Sequence, residues 1–410
     1  MNRRIALYLV CITWQPGGIG ASPVNVQTQH ALVSFYQARL AQIVDLISTL
    51  ANFETPTADK AAVDALGAFL WQKLEALGAQ LTRFPRQNVG DIFLAKWNAE
   101  ADGKPILFLM HLDTVWPIGT LAQRPVHVEG DRLIGPGTWD MKASIGVVLS
   151  VLEGLQARGE FPKRPIWALF TTDEETGSLH SWEIIETVAR QAGLCLVMEF
   201  AATNGGIKTW RKGIANYQVS VMGKASHAGN APEKGINAVI ELAHQTLRIN
   251  TLNRLDLGTS VSVTVVQGGS AFNVIPERAT AQVDVRFKTQ AEAERVHQAL
   301  MSLTPVLEGA KIEVTQRSQR PPMERDAKMV ASYEQLKAIV ADLGMDLPEE
   351  GSGGGSDGNI TSALGIPTLD GLGPLGEGAH AAHEQVVISS IPARAAMLDA
   401  LVRQWRFADQ

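Results

Sequence analysis

The chain predicts an α/β fold in which a mixed central sheet is flanked by helices and interrupted by an inserted α+β domain. Three observations carry this. Apolar runs at 106–110, 166–172 and 194–198 have the look of buried strands and are separated by segments that read as helices. Residues 213–318 change to the order strand, helix, strand, strand, helix, strand, which closes on itself in the ferredoxin-like arrangement. The chain then returns to helical segments that resume the first domain. At 410 residues, two domains are expected rather than one. The boundaries read as a leader at 1–30, a first domain split between 31–212 and 322–410, and the insert at 213–321.

In order, residues 34–50 space their apolar positions as a helix, and a second helix starts at Asp59, a capping residue, and stops before Gly78. Strands follow near 80–83 and 92–97, then the run at 106–110 and a helix of small residues at 143–158. In the insert, the expected strands are 215–221, 260–266, 280–287 and 311–317, with helices at 237–249 and 292–303. Helices at 327–343 and 391–407 complete the chain. Residues 351–358 are rich in glycine without the Gly-Lys-Ser/Thr of a phosphate loop, and read as a flexible linker or as a backbone nest for an anion.

A hydrophobic content of 45% allows a sizeable core, and a net charge of −6 gives no case for a nucleic-acid partner. Two cysteines, Cys11 and Cys195, exclude a disulfide scaffold and a thiolate metal cage. A metal site in this chain must use histidine and carboxylates, a donor set that suits zinc or a similar divalent ion. Asn2-Arg3-Arg4 and the apolar residues to Trp14 resemble a short signal peptide, too short to span a bilayer. If residues 1–21 are removed as a signal, the protein is periplasmic or secreted; otherwise it is cytoplasmic.

The three apolar runs end in chemistry. The first stops at His111 and Asp113, which share a face if the strand continues; the second at Asp173-Glu174-Glu175; the third at Glu199. Asp140 returns on a loop just before the 143–158 helix. One acid capping a strand end is unremarkable. A histidine and several acids at the carboxyl edge of one sheet, where open α/β sheets bind their ligands, suggest a carboxylate-rich metal site. Glu174 and Glu175 would point to opposite sides of an extended backbone and so serve different purposes.

These pieces, with Gly223-Lys-Ala-Ser-His227-Ala-Gly, Asn273-Val-Ile-Pro, Gly354-Gly-Ser-Asp-Gly-Asn and Ala379-His380-Ala-Ala-His383-Glu384, resemble the di-zinc amidohydrolases. That family includes glutamate carboxypeptidase, acetylornithine deacetylase, succinyl-diaminopimelate desuccinylase and aminoacylase. The motifs stand in the family's order over roughly 35–408, and the Lys-Ala-Ser-His-Ala-Gly run and Arg320-Pro321 are most similar to the glutamate carboxypeptidase branch. The resemblance implies a zinc-exopeptidase-like catalytic domain, with the insert as dimerisation or lid domain of a homodimer. It implies two zinc ions per chain, with cobalt or manganese as substitutes, bridged by Asp140 at a cis Asp140–Met141 peptide. His111 and Glu199 would complete one ion's ligands, and Glu175 and His380 the other's. Asp113 would orient His111, and Glu174 would be the general base. His227 would reach the partner's site and steady the oxyanion, while Asn273 and Arg320 would touch substrate, Arg320 by a carboxylate. His383 stands where relatives commonly carry Asp or Asn, and its position relative to Glu384 favours His380 as the ligand.

The implied reaction is hydrolysis of an amide by a metal-bridging hydroxide, releasing a C-terminal amino acid from a small peptide or N-acyl amino acid. The alternatives are an N-acyl-amino-acid deacylase of the aminoacylase or acetylornithine deacetylase type, a non-catalytic peptide-binding relative, and a structural single-metal site. His127, His180, His244 and His297 read as surface residues or match no motif.

Overall fold

The computed structural model describes residues 31–407; the leader read at 1–30, with Cys11, lies outside them. The chain forms a mixed α/β structure around an eight-stranded sheet. Its strand order is Gln80–Phe84, Ile92–Trp97, Ile166–Thr171, Ile106–His111, Leu194–Val197, Thr368–Asp370, Ile207–Arg211 and Glu349–Ser352. Ile106–His111 runs parallel to both of its neighbours, whereas Ile92–Trp97 is antiparallel to Ile166–Thr171.

The alternation of side chains along each central strand feeds two cores. Ile106, Phe108 and Met110 join the larger one, with Ile47, Leu70, Val147 and Leu398 from covering helices. Leu107 and Leu109 face the other side, against Ile185, Val188 and Ile360. A strand buried on both faces reads as an unbroken apolar run, which is why these segments stood out in sequence.

Residues 213–320 form a second sheet, antiparallel throughout, in the order Ser260–Gly268, Arg278–Phe287, Gly213–Met222, Lys311–Arg320. Helices Ala238–Asn250 and Gln290–Met301 pack on one face of it around Tyr217, Val219, Val283 and Phe287. Asn237 and Thr289 cap these helices by accepting from the amides of Ile240 and Glu292. Where the chain leaves the large sheet and re-enters it, Arg211 and Met323 exchange backbone hydrogen bonds of 3.0 and 3.1 Å.

Two features differ from the sequence reading. The helix expected over 34–50 is two helices, Ala31–Ala38 and Leu40–Ala51, joined by a turn at Arg39 whose amide donates to Tyr36 O. The Tyr36 hydroxyl donates to Asp399 on the last helix at 2.5 Å, so burial of that pair accompanies the break. A further small sheet went unread: Gly376–Glu377, Gln385–Val387, Arg132–Ile134 and His127–Glu129 pair in that order. Its strands are two or three residues long, below the length at which alternation is visible. Among the described residues, no helix is long and apolar enough to cross a membrane.

Phe108 is fully buried at the centre of the large sheet. Truncation to alanine is expected to cost about 3–5 kcal/mol, read as a lowered denaturation midpoint with an unchanged m value.

Candidate metal centre

The parallel strands end together. His111 lies opposite Thr171, Leu109 opposite Val197, and Val197 opposite Asp370. The residues that follow these positions therefore emerge on one edge of the sheet. Glu174 and Glu175 sit in a single 3-10 turn, Glu174–Thr176, rather than on extended chain, and they still diverge. Glu175 Oε2 lies 3.0 Å from His380 Nε2, whereas Glu174 Oε1 lies 3.3 Å from Arg320 Nη1.

Asp140 stands between two clusters. Its Oδ1 is 3.2 Å from His111 Nε2, which is 3.6 Å from Glu199 Oε1. Its Oδ2 is 3.3 Å from His380 Nε2. In each set, His111–Asp140–Glu199 and Asp140–Glu175–His380, one ligand atom per residue lies within 4.8 Å of the others. His111, Asp140 and Glu199 are buried, while His380 is open to solvent at the rim, held at a positive φ of 62°. His380, not His383, faces the carboxylates; His383 is exposed in the turn leading to Glu384.

The electrostatics of this edge call for a cation. Burial alone would lower the pKa of His111, but Asp113, Asp140 and Glu199 override it and hold the imidazole well above its usual range. Hydrogen bonds to Asp140 and Glu175 raise His380 to about 10. Burial pushes Glu175 up to about 7. Burial, with the charge of Glu199 added, pushes Glu174 well above the carboxylate range against the pull of Arg320. Glu175 Oε1 is buried with no hydrogen-bond partner. Two imidazoles among converging carboxylates, with an orphaned oxygen beside them, form a nitrogen and oxygen donor set that fits divalent ions.

Other residues hold these groups in place. Asp113, fully buried, accepts from Thr57 Oγ1 at 2.7 Å and from the amides of Glu174 and Glu175 at 3.3 and 3.2 Å, while its carbonyl faces His111 Nδ1 at 3.0 Å. Such a contact fixes the ring so that Nε2 points at the site. Glu384, which the sequence marked only as a motif position, accepts from the amides of Gly137, Trp139 and Asp140 at 2.8, 2.9 and 3.0 Å, and from Trp116 Nε1 at 2.7 Å. It clamps the turn that presents Asp140, whose peptide bond to Met141 is cis.

The residues read as substrate contacts fall in two places. Arg320, at the end of the Lys311–Arg320 strand, is buried beside Glu174 and also donates to Ser178 Oγ at 2.9 Å. His227 and Asn273 are exposed in the second domain's two-stranded ribbon, Ser226–His227 with Val274–Ile275, where the Ala228 amide donates to Asn273 O at 2.9 Å. The bonds of His227 run to its own turn: Nδ1 accepts from the amides of Gly229 and Asn230, both at 3.1 Å. The glycine-rich segment is neither linker nor open nest. Glu349–Ser352 pairs with Ile207–Arg211, and the amides of Gly354, Ser356 and Gly358 are taken by Ser352, Asn359 and Ser356 side chains.

Comparison with known proteins agrees with this geometry. The family model described as Peptidase family M20/M25/M40 matches residues 107–404. The chain is 33% identical to carboxypeptidase G2 of Pseudomonas sp. (strain RS-16) over 369 residues, which cover 88% of each chain. It is 29% identical to a succinyl-diaminopimelate desuccinylase of Alkalilimnicola ehrlichii, over 89% of this chain and 97% of that one. Among solved structures, aminopeptidase PepT of Bacillus cereus shares the fold with a TM-score of 0.71 at 21% identity, over 89% of this chain and 98% of that one. An M20 family metallo-carboxypeptidase from Sulfolobus solfataricus does so with a TM-score of 0.64 at 16% identity, over 89% and 98%. The chain belongs to peptidase family M20/M25/M40 and is a metal-dependent hydrolase of amide bonds.

Glu384→Gln keeps the shape of the clamp but replaces one acceptor with an amide donor facing backbone N–H groups. It is expected to weaken metal binding about 10- to 100-fold, measured by chelator competition, because partners that orient a ligand carry that much affinity.

Proposed function

We propose that this member of the family is a di-zinc carboxypeptidase that releases a C-terminal amino acid from a peptide or N-acyl amino acid. The observation that carries the reading is the arrangement of Asp140, one oxygen toward His111 and the other toward His380, so that two ligand sets share one carboxylate. His111 and Glu199 would hold one ion and Glu175 and His380 the other. Bound divalent ions supply Lewis acidity, lowering the pKa of a bound water to about 7 and polarising the substrate carbonyl.

The chain's own groups do the rest. Glu174 lines the same crevice as His111 and Glu199 and ligates neither set, which leaves its carboxylate free to take a proton from water and return it to the leaving nitrogen. Asp113 keeps His111 oriented. His227 accepts at Nδ1, so its neutral ring carries the proton on Nε2 and offers a donor to an oxyanion. Its exposure on the two-stranded ribbon fits service to a partner subunit's site in a homodimer, with Asn273 beside it.

Arg320 is the anchor for a substrate carboxylate. A guanidinium grips a carboxylate with two parallel hydrogen bonds, and this one stands beside the base that must act on the adjoining bond. A free C-terminal carboxylate is the group it fits. The similarity to carboxypeptidase G2 supports this branch. The similarity to desuccinylases supports a second reading, an N-acyl-amino-acid deacylase, in which the same carboxylate is gripped and the acyl group differs.

Glu174→Gln is expected to retain both ions while turnover of a C-terminal glutamyl substrate falls at least about 100-fold, the low end for general-base catalysis. Chelation should abolish wild-type turnover and zinc add-back restore it. Near-normal activity of Glu174→Gln would remove Glu174 from the base role, and turnover of acetylated amino acids with no release of a C-terminal glutamate would move the enzyme to the deacylases. Arg320→Lys should raise KM for free-carboxylate substrates about 10- to 100-fold, the worth of a charge-assisted pair. Equal kinetics on amide-capped substrates would overturn the anchor.

A further inference from the structure

Behind Glu199 lies a buried pair that no step above uses. Arg211, at the end of the Ile207–Arg211 strand, is 3% exposed, and Asp370, at the end of Thr368–Asp370, is fully buried. Arg211 Nε and Nη2 donate to the two oxygens of Asp370 at 2.7 and 2.8 Å. Its Nη1 donates to the carbonyls of Gly355 and Gly354 at 3.1 and 3.5 Å. Nη2 also lies 3.5 Å from Glu199 Oε2, an ion pair rather than a hydrogen bond. A guanidinium has five N–H donors, and Asp370 and the two glycine carbonyls engage up to four of them.

Arg211 is buried behind Glu199, away from solvent. Its effect must pass through the side chains it touches. Glu199 presents Oε1 toward His111 and Oε2 toward Arg211, so the cation settles which oxygen faces the metal site. The neighbouring cation does not substitute: Lys208 Nζ has no hydrogen-bond partner among the described residues and lies over the Phe200 ring at 3.7 Å. Asp370 is itself fixed, its Oδ2 accepting from Ser356 Oγ at 2.6 Å, and a Cβ at Gly358 would come within 2.7 Å of that oxygen. The other ligand set has no counterpart. Glu175 pairs with His380 alone among the described residues, and its Oε1 has no partner.

We infer that Arg211, locked by Asp370 and Ser356, is a positioning residue that fixes Glu199 as a ligand and so sets the affinity of the His111–Asp140–Glu199 site but not of its neighbour. The inference rests on the two-ion reading above, and the test separates the two. In a His380→Ala background only the Arg211-linked ligand set is complete, so zinc affinity there, measured by chelator competition, reports that site. Adding Arg211→Lys should weaken zinc about 10- to 100-fold, Arg211→Met should weaken it further, and Ser356→Ala should weaken it several-fold. In the otherwise unaltered chain, Arg211→Lys should weaken one of two ions and leave the other within about twofold. Melting curves accompany each variant. A lowered Tm with unchanged zinc affinity would make Arg211 merely structural and overturn the inference, as would equal weakening of both ions. If Arg211→Lys fails to fold, Ser356→Ala decides alone: unchanged affinity there overturns the inference. A His380→Ala protein that binds no zinc, or an unaltered chain that binds fewer than two ions, would instead overturn the two-ion reading.

Discussion

The structure depends on the mutual repulsion of carboxylates brought to one sheet edge. Asp113, Asp140, Glu175 and Glu199 converge there, with Glu174 close by, and burial strips them of the water that would screen them. Burial and like charge raise the proton affinity of Glu174 and Glu175, and the cluster draws positive charge to itself. The high proton affinities of His111 and His380 are one expression of this, and divalent ions in the same donor set satisfy the same demand more fully.

The surroundings answer that repulsion with fixed dipoles and cations. Backbone amides converge on Glu384 and on Asp113, so each of these carboxylates is held by the chain whose turn it organises. Arg320 faces Glu174 from one side of the site and Arg211 faces Glu199 from another. Both arginines stand where the chain passes between the two sheets, next to the bridge of Arg211 to Met323 and the bonds from Asn359 Nδ2 to Lys212 O and Pro321 O. The metal centre and the junction with the small sheet are therefore built from the same residues. A shift of the 213–320 sheet would carry Arg320 with it, and Arg320 touches Glu174.

Much of this was legible in the sequence because its cause is local. Short apolar runs that lead into His or acids reveal strands buried on both faces and the carboxyl edge where they stop. Short strands and helix breaks were not legible. The Gln385–Val387 strand is too brief for a period, and the break at Arg39 accompanies a contact between Tyr36 and Asp399, 363 positions apart. The glycine-rich segment misled for a related reason: composition records freedom, whereas Gly351 is there because any Cβ would collide with the Trp210 ring at 1.7 Å.

The sequence by itself determined the class of chemistry. With no thiolate cage available and histidine and acids recurring at strand ends, the pattern pointed to a metal site built of nitrogen and oxygen donors. That His380 rather than His383 faces the carboxylates, that Asp140 stands between two clusters, and that Glu384 and Arg211 back them were decided by the tertiary structure. Ligand identity follows from side-chain type, which a sequence states outright. Ligand geometry follows from the register of parallel strands and the path of long connections, and these are fixed only when distant segments pack against one another.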